Sequence, residues 1–212
     1  MSERFPDKDN KAEQYRVAGV ILGETAVGIG LDVPEDERQR WGEVMAGLTE
    51  ADDAFEANRG VYSAEELLEH LGMPVDDENL QRYAGQLLTA SGAALDTTDI
   101  REHFDYRGEE AAACADLLCH DCRVRDQGKN EDSWEQIRRV SVAGQYLDSF
   151  RDAGQDSAAN LDQFGAMQLR THALARLARI TPTIYPSTWR ALARSGHRRG
   201  LDRYLAGELV PR

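Results

Sequence analysis

The chain reads as an all-α protein, a single bundle of about seven to nine helices. Three observations predict this. Apolar residues recur almost throughout at the three/four spacing of a buried helix face, and no stretch alternates convincingly as a strand. There are six prolines in 212 residues. Hydrophobic residues make up 41%, which supports a real core even though aromatics are scarce.

The elements follow in order. Residues 1–10 are polar and read as a flexible N-terminus. A first helix is expected from about Lys11 to Gly30, with Tyr15, Val17, Val20, Ile21 and Val27 giving it apolar faces. Its load of glycines (Gly19, Gly23, Gly28, Gly30) predicts either close helix contact or room for a ligand, close packing being the commoner cause. Pro34 opens a second helix whose first turn holds Glu35, Asp36 and Glu37, and which runs to about Asn58. Ser63 caps a short helix with Glu65 and Glu66 in its first turn. Asp76 and Asp77 start a fourth, where acids are favoured by the helix dipole, and it is expected to end near Gly92. Thr98 or Asp99 caps a fifth, with a break near Gly108, running on to Val124. Ser133 is expected to cap a sixth, with Trp134, Ile137, Val140, Leu147 and Phe150 on its apolar side. A seventh spans about Leu161 to Ile180 with Met167, Leu174 and Leu177 inward, and an eighth about Ser187 to Ala206. Residues 11–208 thus form one domain, and Leu209 to Arg212 match what thrombin leaves of its recognition site.

Net charge is −13, which argues against a general nucleic-acid binder. The charge is uneven: from Gly165 to Arg212 there are nine arginines against Asp202 and Glu208. That segment would either clamp an anion or pack on the acidic body. No apolar run is long enough for stable membrane insertion, and three cysteines cannot all pair internally, so a reducing cytoplasm is expected. Cys119, His120 and Cys122 invite a zinc reading, but on one helix the histidine points away from the thiols, and buried free thiols are the better expectation.

Two acidic motifs carry the chemistry. Trp41, Val44, Met45 and Leu48 set an inward face that continues to Asp52, so Asp52, Asp53 and Glu56 fall on or beside positions that ought to be apolar. An unpaired buried carboxylate costs several kcal/mol, so such a face needs cations or lines a polar cavity. On the sixth helix Ser141, Gly144 or Gln145, Asp148 and Asp152 form a stripe beside the core face; the alternative is an exposed face with Arg151 as partner. Placed opposite each other, the two motifs would hold Mg²⁺, a hard ion that takes oxygen ligands and shares phosphate oxygens.

These residues resemble motifs of the isoprenoid-synthase superfamily. Asp52-Asp53-Ala54-Phe55-Glu56 is similar to the first aspartate-rich motif of that superfamily, and Tyr146-Leu147-Asp148-Ser149-Phe150-Arg151-Asp152 to its second, as found in squalene/phytoene synthases and bacterial large-terpene synthases. The resemblance implies a helical bundle around a central cavity and an enzyme that ionises an allylic prenyl diphosphate. It implies Asp52, Asp53, Glu56, Asp148 and Asp152 as Mg²⁺ ligands, Asp52, Asp53 and Asp148 being catalytic, and Arg59 or Arg151 as a diphosphate contact. A homodimer is compatible with it. The rival readings are an all-α Mg²⁺-dependent nucleotide pyrophosphohydrolase and a non-catalytic helical interaction or regulatory protein.

Overall fold

The computed structural model describes residues 11–58, 62–158 and 164–200, with the side chains of 52–58 and 155–158 left out of the description. Among the described residues there are eight α-helices and no strand. They are α1 (Lys11–Gly28), α2 (Glu35–Asn58), α3 (Ala64–His70), α4 (Glu78–Asp96), α5 (Ile100–Asp126), α6 (Glu131–Ala158), α7 (Ala166–Ile180) and α8 (Pro186–Arg199), with a 3₁₀ turn at Thr181–Thr183. None is long and apolar enough to cross a membrane. The all-α bundle expected from the apolar periodicity is what forms.

Helix starts follow the local chemistry. Ser63 and Glu66 form a reciprocal capping box, Ser63 Oγ accepting from the Glu66 N–H at 3.2 Å and the Ser63 N–H donating to Glu66 Oε2 at 2.7 Å. Asp77 caps α4 by accepting from the N–H groups of Asn79 and Leu80 at 2.8 and 3.1 Å. Its other oxygen meets His120 Nε2 at 3.0 Å, tying α4 to α5. Asp99 caps α5 by accepting from the Arg101 N–H at 2.7 Å.

Several expectations are corrected. α4 passes Gly92 and ends at Asp96. α5 is unbroken at Gly108, whose missing side chain makes room for the Tyr146 hydroxyl, which donates to the Phe104 carbonyl at 3.2 Å. Ser133 lies inside the first turn of α6 and is not its cap: its N–H bonds the Asn130 carbonyl at 2.9 Å, while Asp126 accepts from the Asn130 N–H at 2.9 Å. Among the described residues α7 begins at Ala166, after Gly165, and its inward face keeps Leu177 as predicted but is otherwise turned. Leu169 and Ala173 are buried, whereas Met167 and Leu174 are 81% and 51% exposed. Val27 is exposed as well. α8 stops at Arg199 because Gly200 takes the left-handed conformation, φ +79°, that ends a helix. The expected positions at Leu161 and beyond Gly200 lie outside the described residues.

The bundle is built around α1, which packs on α2, α6 and α8; α4 packs on α5, α5 on α6, and α6 on α7. α1 and α2 run in opposite directions and touch backbone to backbone. Gly19 lies against the Trp41 carbonyl, and a Cβ on Gly42 would sit 2.7 Å from the Arg16 carbonyl oxygen. This settles the glycine load of α1 as close packing. The main core gathers Leu22, Trp41, Leu68, Leu117 and Ile137; a smaller one joins Phe104 and Tyr146 to Leu169 and Ala173.

Two outcomes follow. Gly42→Ala should destabilise the protein by roughly 1–3 kcal/mol, since neither backbone can give way. Gly85→Ala, at a helix position with nothing within 4 Å, should stabilise by about 0.5–1 kcal/mol; urea midpoints of the two variants check both. For Asp77, the Leu80 N–H, and with it His120 and the Asn79 N–H, holds the carboxyl below its ordinary value. Its stabilisation is therefore present above the unfolded carboxylate pKa and is lost as pH falls through the folded one. Asp77→Ala should cost about 1 kcal/mol at neutral pH. Asp77→Asn should cost less by keeping the cap, and its urea midpoint should converge with the wild type in acid.

Candidate active site

A cavity of about 590 Å³ runs between α1, α2, α4, α5 and α6, and Leu177 of α7 with Trp189 and Leu192 of α8 completes its wall. Its lining is graded. Along α1 the cavity residues pass from Lys11 and Tyr15 to Ile21 and Leu22; along α5 they pass from Arg107 and Glu110 to Cys114. Along α6 the same order runs backwards, from Arg151 and Asp148 to Val140. Hydrogen bonds fix these helices in register. Tyr15 Oη donates to Asp148 Oδ2 at 2.6 Å, Ser91 Oγ to Glu110 Oε1 at 2.6 Å, and Ser141 Oγ to the Ala111 carbonyl at 3.1 Å. Lys11, Tyr15, Asp148 and Arg151 therefore share one end, Arg107 and Glu110 stand further along α5, and the rest of the lining is mostly hydrocarbon. α2 runs toward the charged end with Met45, Leu48, Thr49 and Ala51 on the wall.

Asp148 is the centre of the charged end. Its second oxygen accepts from Arg151 Nη2 at 2.6 Å, and the same guanidinium reaches both oxygens of Asp152 at 2.7 and 2.9 Å. The Asp148 side chain is 26% exposed. Burial pushes its carboxyl above the ordinary value, and Arg151 and the Tyr15 hydroxyl pull it only part of the way back. The alternative of an exposed helix face is therefore set aside for Asp148. The stripe read from the sequence, Ser141, Gly144, Gln145 and Asp148, does line the cavity, but Asp152 does not.

The first motif meets a boundary. Asp52, Asp53 and Glu56 follow directly on Ala51 in α2, and their side chains lie outside the described residues, as does all of Arg59. Among the described residues no group of three or more histidine, cysteine or acidic side chains is placed to hold a metal ion. The three cysteines are buried free thiols. Burial pushes Cys114 up to about 12 and Cys122 up to about 11. His120 turns to Asp77, away from the thiols.

Of the two expectations for the arginine-rich last third, packing on the acidic body describes Arg176, Arg198 and Arg199. Arg176 pairs with Asp105, and Arg198 and Arg199 with Glu24, while Arg170, Arg190 and Arg194 are exposed. The cations on the cavity wall are Lys11, Arg107 and Arg151. Sequence reasoning missed Lys11, Tyr15, Ser91, Arg107 and Glu110 as wall residues. The one available signal was the spacing of Arg107 and Glu110, which pair at 3.0 Å one turn apart on α5.

The chain matches no family model, no curated protein and no solved structure. The residues of the cavity carry the functional argument by themselves.

Since the folded Asp148 pKa lies above the unfolded one, the folded state holds the extra proton between the two values, and stability falls as pH rises through that window. Above the window Asp148→Asn removes the cost of burying the charge and leaves an oxygen for Tyr15. The variant should match or exceed the wild type in urea midpoint at neutral pH, and its advantage should vanish in acid.

Proposed function

We propose that the chain is a Mg²⁺-dependent enzyme that ionises an allylic prenyl diphosphate and releases pyrophosphate, leading to a cyclised product, a longer prenyl chain or a prenylated acceptor. The observation that carries this reading is a mostly apolar cavity with charged side chains on its wall. Its hydrocarbon lining suits an isoprenoid tail and excludes water from a carbocation. Lys11 and Arg151 at one end, and Arg107 further along, are the cations on the wall for phosphate oxygens. A base-stacking nucleotide site would call for a less apolar wall.

The donor set suits a hard cation. Asp148 would supply a carboxylate oxygen from the cavity wall, Asp152 one turn on would have to turn toward it, and Asp52, Asp53 and Glu56 would supply the rest from α2, beginning one residue beyond the wall residue Ala51. Mg²⁺ bound there would draw negative charge from the leaving diphosphate. In the reaction the allylic C–O bond breaks and its electron pair leaves on the diphosphate oxygen. Arg151 serves as the cation that holds the two α6 carboxylates in place, and Arg151 or Arg59 contacts the diphosphate. Tyr15 orients Asp148 from α1. The non-catalytic reading is favoured by one observation: Arg151 already satisfies both Asp148 and Asp152 within α6.

The test is pyrophosphate release from geranyl, farnesyl and geranylgeranyl diphosphate with Mg²⁺, repeated with EDTA. Metal-dependent release from at least one is expected. Asp52→Asn and Asp148→Asn should each lower it by roughly 10²-fold or more, with circular dichroism unchanged. Full activity in both variants, or no release from any substrate, would sink the assignment.

A further inference from the structure

Residues 166–199, which span α7 and α8, contain seven arginines, no lysine and no acid, in a chain whose net charge is −13. Both helices wall the apolar part of the cavity with one side, through Leu177, Trp189 and Leu192. The exposed side of α7 is a row made of Met167, Arg170, Thr171, Leu174 and Ala178, with Arg179 exposed beside it; that of α8 is Arg190, Ala193, Arg194, His197 and Arg198. Each set recurs at the three/four spacing, so each is one continuous helix face. Among the described residues Arg170, Arg179, Arg190 and Arg194 form no ion pair, while Arg176, Arg198 and Arg199 are held by Asp105 and Glu24.

We propose that the exposed rows of α7 and α8 dock on an anionic lipid bilayer. Two properties select that occupant. Phosphate headgroups complement a run of arginines that has no acid among it, whereas the rest of the chain, strongly acidic, is repelled from such a surface and turns away. Met167 and Leu174, 81% and 51% exposed, flank Arg170 on the same row, the arrangement of a helix that lies in the headgroup region with apolar side chains inserted and arginines at the phosphates. A nucleic acid would meet the arginines and leave both apolar side chains in water. Docking here is peripheral and reversible, since no described helix can cross the membrane. The proposal goes beyond the prenyl-diphosphate chemistry and stands without it.

The test is co-sedimentation of the full chain with phosphatidylcholine vesicles, with and without one-third phosphatidylglycerol, at low and high salt. Binding is expected only to the anionic vesicles and should be lost at high salt. Replacing Arg170, Arg179, Arg190 and Arg194 together by Gln should weaken it by about 10²-fold or more, each arginine contributing about fivefold. Met167→Ser with Leu174→Ser should weaken it further, and circular dichroism verifies that each variant folds. No binding of the wild type to anionic vesicles, or binding that the four substitutions leave unchanged, overturns the proposal. So does sedimentation showing self-association without vesicles that the same substitutions abolish, which would give the face to a second copy. Preferential binding to duplex DNA in competition with the vesicles would overturn it as well.

Discussion

Everything in this bundle is referred to the contact between α1 and α2. Two glycines let the helix backbones touch, Gly19 against the Trp41 carbonyl and Gly42 against Arg16. A contact that close has no freedom to slide, because a side chain on either residue would collide with main chain. It fixes how far α2 extends along α1 and so sends the end of α2 toward Lys11 and Tyr15. From there Tyr15 reaches Asp148 on α6, and Arg107 and Glu110 on α5 stand beside α6 through the Ser141–Ala111 bond. The charged end of the cavity is the product of this chain of registers. An α2 one turn out of step with α1 would carry Met45, Leu48 and Ala51 away from their places on the cavity wall.

The electrostatics of that end are held in tension. A carboxylate taken partly out of water is stabilised by one guanidinium and one phenol, and this is not enough to return it to ordinary acidity. Glu110 has the same kind of support, from Arg107 and Ser91. A fold selected for stability alone would have little reason to line an apolar cavity with two such pairs, since well-packed hydrophobic residues of similar volume serve as well or better. The arrangement fits a site whose charges are kept for an incoming ligand.

The sequence was most legible where structure is local. Helix existence follows from apolar periodicity, and three N-termini follow from Ser63, Asp77 and Asp99, whose side chains bond their own helix. Legibility fails where register depends on distant contacts. The apolar residues of α7 predict Met167, Leu174 and Leu177 inward, but the packing on α5 and α6 buries Leu169 and Ala173 with Leu177 and leaves Met167 and Leu174 outside. Gly108 looked like a break and is instead the seat of a tyrosine from another helix. In the site, Asp148 was found because its spacing beside an apolar face is a sequence property. Tyr15 and Glu110 were not, since each gains its role from a partner more than fifteen residues away in the chain.

The buried cysteines give the fold a built-in reporter. Cys114 stands on the cavity wall near Met45, while Cys119 and Cys122 lie within the main core. Thiols pushed so far up are inert toward electrophiles until water reaches them, because the thiolate is the reactive form. Chemical labelling therefore measures opening, and it does so at two depths. Cys114 reports breathing of the cavity, and the core pair reports disruption of the bundle itself, so one unmodified chain carries separate clocks for ligand access and for unfolding.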